Sequence, residues 1–333
     1  MKPVTEHYDV VVIGGGPAGA TAATDLARAG RRVLLVDRAG RIKPCGGAVP
    51  PVLIEEFEIP DSLLVARIDS ARMISPSARA VDMPIDGGYV GMVDREVYDE
   101  WLRARAARAG ASRVRANFER LAYGPDGVHV HLRSTADADA GAALEITADA
   151  VIGADGANSG VARQCIPGAD RVKYVAAYHE IVRAPARGAP GVAAADYSAT
   201  RCDVWYQGRI SPDFYGWIFP HGDIASVGVG TALKGFSLRG ACTRLRMAAG
   251  LDGQETVRRE GAPIPMKPLK RWDDGRAVVV AGDAAGVVAP ASGEGIYYAM
   301  ACGRMAARAV DAFLATGDAR ELAGARREFM RAH

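Results

Sequence analysis

The chain has 333 residues, 49% of them hydrophobic and 24% charged, and its 41 basic and 39 acidic side chains leave a net charge of +2. That length allows two domains and a sizeable core, and the near-even charge balance excludes the basic footprint of a nucleic-acid-binding protein. Asp or Gly breaks every long apolar run, which excludes a membrane-spanning helix, and five scattered cysteines with no C-x-x-C pair exclude a disulfide framework or a zinc site.

Glu6 and Asp9 interrupt the N-terminus and a strand begins at once, so no signal peptide is expected and the cytoplasm is the default compartment. Val10-Val11-Val12-Ile13 reads as a strand buried on both faces of a parallel sheet. Gly14, Gly16 and Gly19 follow with the spacing G-x-G-x-x-G. The first glycine permits a tight turn, the second lets backbone approach a pyrophosphate, and the third lets a helix pack close to the strand. Pro17 suits the first turn of that helix, which runs through alanine-rich sequence to Gly30. A second strand, Val33 to Val36, ends on Asp37, the acid expected to bind ribose hydroxyls. A carboxylate there repels a 2′-phosphate and favours NAD or FAD, although Arg38 beside it is of the type that accepts one.

The loop Lys43-Pro44-Cys45-Gly46-Gly47-Ala48 can pass close to a flat ligand because of its two glycines. Strands are expected at 71–75 and 80–83, with a turn at Asp86-Gly87-Gly88. Asp94 caps a helix running through Trp101 and Leu102 to Gly110, and Arg95 in its first turn opposes the helix dipole, a placement that suits an arginine serving an anionic ligand. Further strands are expected at 114–121, 128–132 and 150–152, with a surface loop at 135–143. The strand at 150–152 leads into Gly153-Ala154-Asp155-Gly156, and a fully apolar strand at 277–281 leads into Gly282-Asp283, with a helix starting near Gly293. Three strands that each end in glycine and a carboxylate suggest one extended ligand lying across several strand ends, a dinucleotide with a long sugar-alcohol arm. The segment 171–236 holds 10 of the 22 aromatic residues in 66 of 333 positions. Trp205-Tyr206-Gln207 and Tyr215-Gly216-Trp217-Ile218-Phe219 read as strands in it, and the excess of rings suits a wall around an apolar substrate.

With these residues in view, the chain resembles the geranylgeranyl reductase family of flavoproteins, part of the glutathione-reductase-like group that includes para-hydroxybenzoate hydroxylase. The resemblance runs over essentially the whole chain. Residues 14–19, 153–159 and 282–283 match the group's three FAD motifs. Pro44-Cys45-Gly46-Gly47 and Tyr215-Gly216-Trp217-Ile218-Phe219-Pro220 match two segments of the family itself, and the wording is most similar to the branch that forms the phytyl tail of chlorophyll or bacteriochlorophyll. There are two departures. The motif arginine stands one place late, in Ser159-Gly160-Val161-Ala162-Arg163, and members of the family continue past the final helix, which implies that this chain stops early at His333.

The resemblance implies an α/β fold: a Rossmann-like FAD-binding domain from residues 1–70, 93–168 and 262–333, and a β-sheet-rich substrate domain from 71–92 and 169–261. It implies FAD contacts at Gly14, Gly16, Pro17, Ala18, Gly19, Asp37, Arg38, Cys45, Gly46, Gly47, Ala48, Arg95, Asp155, Gly282, Asp283, Gly293, Gly295 and Ile296, with Asp283 on the ribityl chain. It implies NADPH as reductant, Tyr215, Trp217 and Phe219 around an isoprenoid-tailed substrate, Cys45 as the catalytic thiol, and peripheral association with a photosynthetic membrane. An aromatic hydroxylase, a menaquinone or archaeal-lipid reductase, and a flavin-binding protein inactive for want of its end share parts of this pattern.

Overall fold

The computed structural model describes residues 6–38, 42–185, 197–289 and 293–333. The chain divides into two units. Unit 1 takes residues 1–41, 99–173 and 265–333, and unit 2 takes 42–98 and 174–264. Residues 42–70 and 93–98, expected with the FAD domain, fall in unit 2. The reason is strand pairing: Ala48–Val49 and Leu64–Ile68 both pair antiparallel with Val90–Val93. The helix Arg95–Arg108 carries the division within it.

Unit 1 is built on the first strand, Glu6–Ile13. Val10 pairs in parallel with Val33 on one side and Ala150 on the other, and Val151 continues to Val278. Residues 10–13, 33–36 and 278–280 are all buried, which is why these strands read as unbroken apolar runs. Ser112–Gly124, Gly127–Ser134 and Ala143–Gly153 form an antiparallel meander. Both of its ends join the parallel sheet, Ser112 against Leu34 and Ala150 against Val10, so the strands close into a ring. A register shift between Phe118 and Arg120 bends the meander. The last of these strands begins seven residues before 150–152, because Leu144, Ile146 and Ala148 alternate with Glu145, Thr147 and Asp149 instead of forming an apolar run. The helices Pro17–Arg28 and Ile296–Thr316 pack together so closely that a Cβ on Gly303 would lie 2.1 Å from the Ala18 carbonyl oxygen.

Unit 2 holds a seven-stranded sheet in the order Thr256–Pro265, Tyr174–Arg183, Ile224–Thr231, Gly216–His221, Arg201–Trp205, Ser70–Ile74, Ala80–Pro84. The strand expected through Gln207 stops at Trp205, since Ile210 and Ser211 both donate N–H to the Gln207 carbonyl and close a turn. The helix Leu238–Ala248 presents Ala241, Cys242 and Leu245 at helical spacing to one face of the sheet, where they pack with Val182, Ile218, Ala225, Val227 and Val229.

Candidate functional site

In unit 1 the three glycine-acid turns come together. Gly14 adopts φ +106°, and its N–H donates to the Val36 carbonyl at 2.8 Å. A Cβ on Gly14 would meet the Ala154 carbonyl oxygen at 2.2 Å, so the first turn lies against the second. A Cβ on Gly282 would lie 2.8 Å from Ala18 Cβ, so the third turn abuts the helix that leaves the first. Gly16, by contrast, faces open space, with no atom within 4 Å of its Cβ position. The helix that follows has Pro17 at its start, no side-chain cap and no acid in its first turn. Its positive end is thus left for an external anion. A glycine cradle with an open face at an uncapped helix start fits the pyrophosphate of FAD.

Asp37 ends the second strand, where its Oδ2 accepts the Gly15 N–H at 2.9 Å. Arg103 Nη1 stands 3.8 Å from Asp37 Oδ1 and donates to the Gly15 carbonyl at 3.3 Å. The arginine is thereby fixed beside the acid expected to take the ribose hydroxyls. Arg38 is exposed, and its carbonyl accepts the Thr135 hydroxyl. Asp155 departs from the role of a ligand acid. Its carboxylate accepts the Ser159 hydroxyl at 2.5 Å and the Gly160 and Val161 N–H groups at 2.6 and 3.2 Å, so it organises the start of the short helix Gly160–Cys165. Burial pushes this carboxyl up, against the opposing hydrogen bonds. Asp283 lies in the turn Gly282–Ala285, and the Gly282 N–H donates to the buried Cys302 sulfur. Residues 290–292 lie outside the described residues.

The helix expected near Gly293 begins at Ile296, with Gly295 at its cap. Glu294 Oε1 accepts the Tyr297 N–H at 2.8 Å and so occupies part of the helix start where FAD contacts at Gly293, Gly295 and Ile296 are expected. Burial pushes the Glu294 carboxyl up to about 7 from 4.5, against the Tyr297 and Ile296 N–H groups. A raised carboxyl pKa contributes stability that is complete below about 4.5 and is lost as pH rises through about 7. Glu294→Gln, which mimics the neutral form, should therefore melt above the parent at pH 8 and lose that advantage at pH 4.5. A melting series across this range tests it; a constant difference would mean that the carboxyl titrates as if exposed.

In unit 2 the sheet face opposite the helix Leu238–Ala248 carries the predicted substrate residues. Tyr215, Trp217 and Phe219 stand two apart and share this face, with ring centroids 6.0 Å apart for the first pair and 6.3 Å for the second. The Cys45 loop lies on the same face. A Cβ on Gly46 would meet the Phe219 ring at 2.9 Å, and one on Gly47, at φ +74°, would meet His221 Nε2 at 2.5 Å. Cys45 is half-buried, and its sulfur accepts the Gly47 N–H at 3.4 Å. Burial raises the pKa of Tyr215, which lies near Cys45 and Tyr206. Ala48 begins the short strand beyond the loop, and Arg95 is buried in the first turn of its helix. Asp94 Oδ1 accepts the Glu96 N–H at 2.8 Å, the expected cap.

Four residues that the sequence reading passed over also line these sites. Arg103 and Glu294 belong to unit 1. His221 donates Nδ1–H to the Phe219 carbonyl, and burial holds its pKa below the ordinary value. His179 is hydrogen-bonded beneath Trp217 through Ser226. His221 alone carried a local signal, standing two residues after Phe219 on the same strand.

The fold and the glycine turns are those of FAD-dependent oxidoreductases, and residues 8–189 match the pyridine nucleotide-disulphide oxidoreductase family. The chain is 57% identical over 326 residues to geranylgeranyl diphosphate reductase of Rhodobacter capsulatus, which covers 98% of this chain and 81% of that protein. It is 40% identical over 333 residues to the chloroplastic geranylgeranyl diphosphate reductase of Oryza sativa, covering 95% of this chain and 69% of that one. The crystal structure of a geranylgeranyl bacteriochlorophyll reductase-like protein from Thermoplasma acidophilum superposes with a TM-score of 0.87 at 23% identity, covering 98% of this chain and 84% of that one. The chain belongs to the geranylgeranyl reductase family of FAD-dependent flavoproteins.

Proposed function

We propose that the protein is an NADPH-dependent reductase that saturates carbon–carbon double bonds of a geranylgeranyl chain, carried as the diphosphate or on a (bacterio)chlorophyll, to give the phytyl tail. The observation that carries this reading is the aromatic face of unit 2, Tyr215, Trp217 and Phe219, with the Cys45 loop seated on it by Gly46 and Gly47. The 57% identity to a geranylgeranyl diphosphate reductase supports it.

When bound, FAD supplies the hydride chemistry and NADPH restores it. Gly14, Gly16, Gly19 and the helix start at Pro17 hold the pyrophosphate, Asp37 takes the ribose hydroxyls, and Asp283 takes the ribityl chain. An isolated alkene is unactivated, so alignment by the three rings must supply much of the rate. The Cys45 thiol holds the proton that completes saturation. The tail has twenty carbons and partitions into lipid, while no helix among the described residues is long and apolar enough to cross a membrane. The protein is therefore expected to pellet in part with membranes and to come off with salt or mild detergent.

NADPH oxidation under nitrogen tests the reaction. Geranylgeranyl diphosphate should support turnover and yield tails with fewer double bonds. Flavin that turns over only with oxygen and an aromatic substrate would establish a hydroxylase instead. Timed by stopped flow, Cys45→Ala should slow the alkene step by more than about 10-fold, the scale of a lost acid-base group, and leave flavin reduction nearly intact. Equal alkene rates in mutant and parent would remove Cys45 from the mechanism.

A further inference from the structure

The seven-stranded sheet has two unlike faces. On the helix-covered face the neighbours are mostly apolar. On the other, Trp217 pairs with Gly228, and His179 pairs with Gly228 from the opposite strand, so both side chains project over one glycine. A Cβ at 228 would meet Trp217 Cζ2 at 2.1 Å and His179 Cβ at 2.7 Å. The glycine makes the slot in which the indole lies flat enough to reach the next residue on that face, Ser226.

There the Trp217 indole N–H donates to Ser226 Oγ at 3.1 Å. Ser226 Oγ is 2.9 Å from His179 Nδ1, and His179 Nε2 is 2.9 Å from Glu260 Oε2. His179 is 3% exposed and Ser226 1%. Burial alone would raise the Glu260 carboxyl, but the His179 hydrogen bond and the neighbouring Arg258 hold it below its ordinary value. Arg258 sits in ion-pair contact with Glu260 Oε1. An ionised Glu260 can only accept, so Nε2 carries the hydrogen. In the neutral imidazole Nδ1 then accepts the Ser226 O–H, which leaves the serine's lone pairs for the indole. The bonds thus run in one direction from Trp217 to Ser226 to His179, and His179 in turn donates to Glu260. Turning the indole away would leave a buried N–H without a partner.

We propose that Glu260, His179 and Ser226 are positioning residues that lock the plane of the Trp217 indole and so set how tightly the isoprenoid chain is held. This rests on the reading above, that Trp217 lines the chain's site. The experiment uses the FAD-loaded protein, with geranylgeranyl diphosphate binding followed by calorimetry and the Trp217 band in near-ultraviolet circular dichroism identified by its loss in Trp217→Phe. Ser226→Ala should weaken binding about 10-fold, the scale of an unsatisfied buried donor, and displace that band. In the Trp217→Phe background, which keeps a ring but has no N–H to anchor, the same serine change should add less than about 2-fold. Glu260→Gln keeps the shape but frees the His179 tautomer, and should displace the band in the same direction. A band unmoved in both variants, or a serine effect undiminished without the indole N–H, overturns the relay. Trp217→Ala separates the two ideas: unchanged binding there sinks the reading of this face as the chain's site, whereas weakened binding there beside a silent Ser226→Ala sinks the relay alone.

Discussion

Gly19→Ala is expected to yield a protein that leaves the cell without its flavin. The added Cβ would stand 1.9 Å from the Gly14 carbonyl oxygen and 3.1 Å from Ala154 Cβ. The obstructing atom is backbone, so no side chain can swing aside. The turn cannot easily open either. The Gly14 N–H is bound to Val36 on one side, and the Ala154 N–H is bound to the Ile13 carbonyl at 2.7 Å on the other. Opening the turn displaces the N–H groups that would cradle the pyrophosphate. Overpacking of about 3 kcal/mol corresponds to a loss of roughly 100-fold in FAD affinity. Gly16→Ala is the informative contrast, because its Cβ position is open. That variant should melt like the parent without flavin and yet bind FAD more weakly, since only the ligand meets the new methyl. The flavin-to-protein absorbance ratio and a titration of stripped protein measure both; a fully yellow Gly19→Ala would refute the cradle.

Arg246→Ala should be the most destabilising single change in unit 2. Arg246 is 8% exposed and Glu180 5%, and Arg246 Nη1 donates to Glu180 Oε2 at 2.5 Å. The same guanidinium donates to Thr256 Oγ1 at 2.7 Å and to the carbonyls of Leu251, Gln254 and Asp252 at 3.1, 2.5 and 3.4 Å. It thereby ties the end of the helix Leu238–Ala248 and the turn after it to the outer strands of the sheet. Burial would raise the Glu180 carboxyl, but the Tyr178 and Arg246 bonds and the Arg246 and Arg259 charges outweigh it and hold it low. Removing the arginine strands a buried carboxylate and three carbonyls, at a cost of about 3–5 kcal/mol. For a unit of this size that is a fall of roughly 10 °C in melting temperature. Adding Glu180→Gln should recover part of the loss, because the two changes remove one interaction. Additive losses would show that the pair does not act as a unit.

The parts of the site that could be read in the sequence are those in which signal and structure are contiguous. Val10 to Gly19 is a strand, a turn and a helix start in unbroken order, and Tyr215, Trp217 and Phe219 share a face because strand periodicity is two. What stayed hidden depends on pairing at a distance. Arg103 reaches Gly15 across 88 residues, and nothing near it in sequence marks it out from the other arginines of its helix. His179, Ser226 and Gly228 become neighbours of Trp217 only through the order of three strands. The segment 42–70 joined unit 2 for the same reason. Asp155 shows the opposite limit: a glycine-acid turn looks alike whether its carboxylate faces a ligand or, as in the bonds from Ser159, Gly160 and Val161, starts its own helix.

The ring of strands in unit 1 constrains how the molecule can be made. The first strand leaves the ribosome early, yet its partner at 150–153 follows some 140 residues later, and Val278, which pairs with Val151, comes later still. The closest support of the glycine turn's helix, Gly303 against Ala18, lies 285 positions downstream. Between these events 174–264, the larger segment of unit 2, is synthesised. The cradle at Gly14 to Gly19 therefore acquires this backing only after both segments of unit 2 have been made. Such long-separated contacts fold slowly and leave apolar strands waiting. A cradle backed by Gly303 is accordingly complete only after residue 303 has been made.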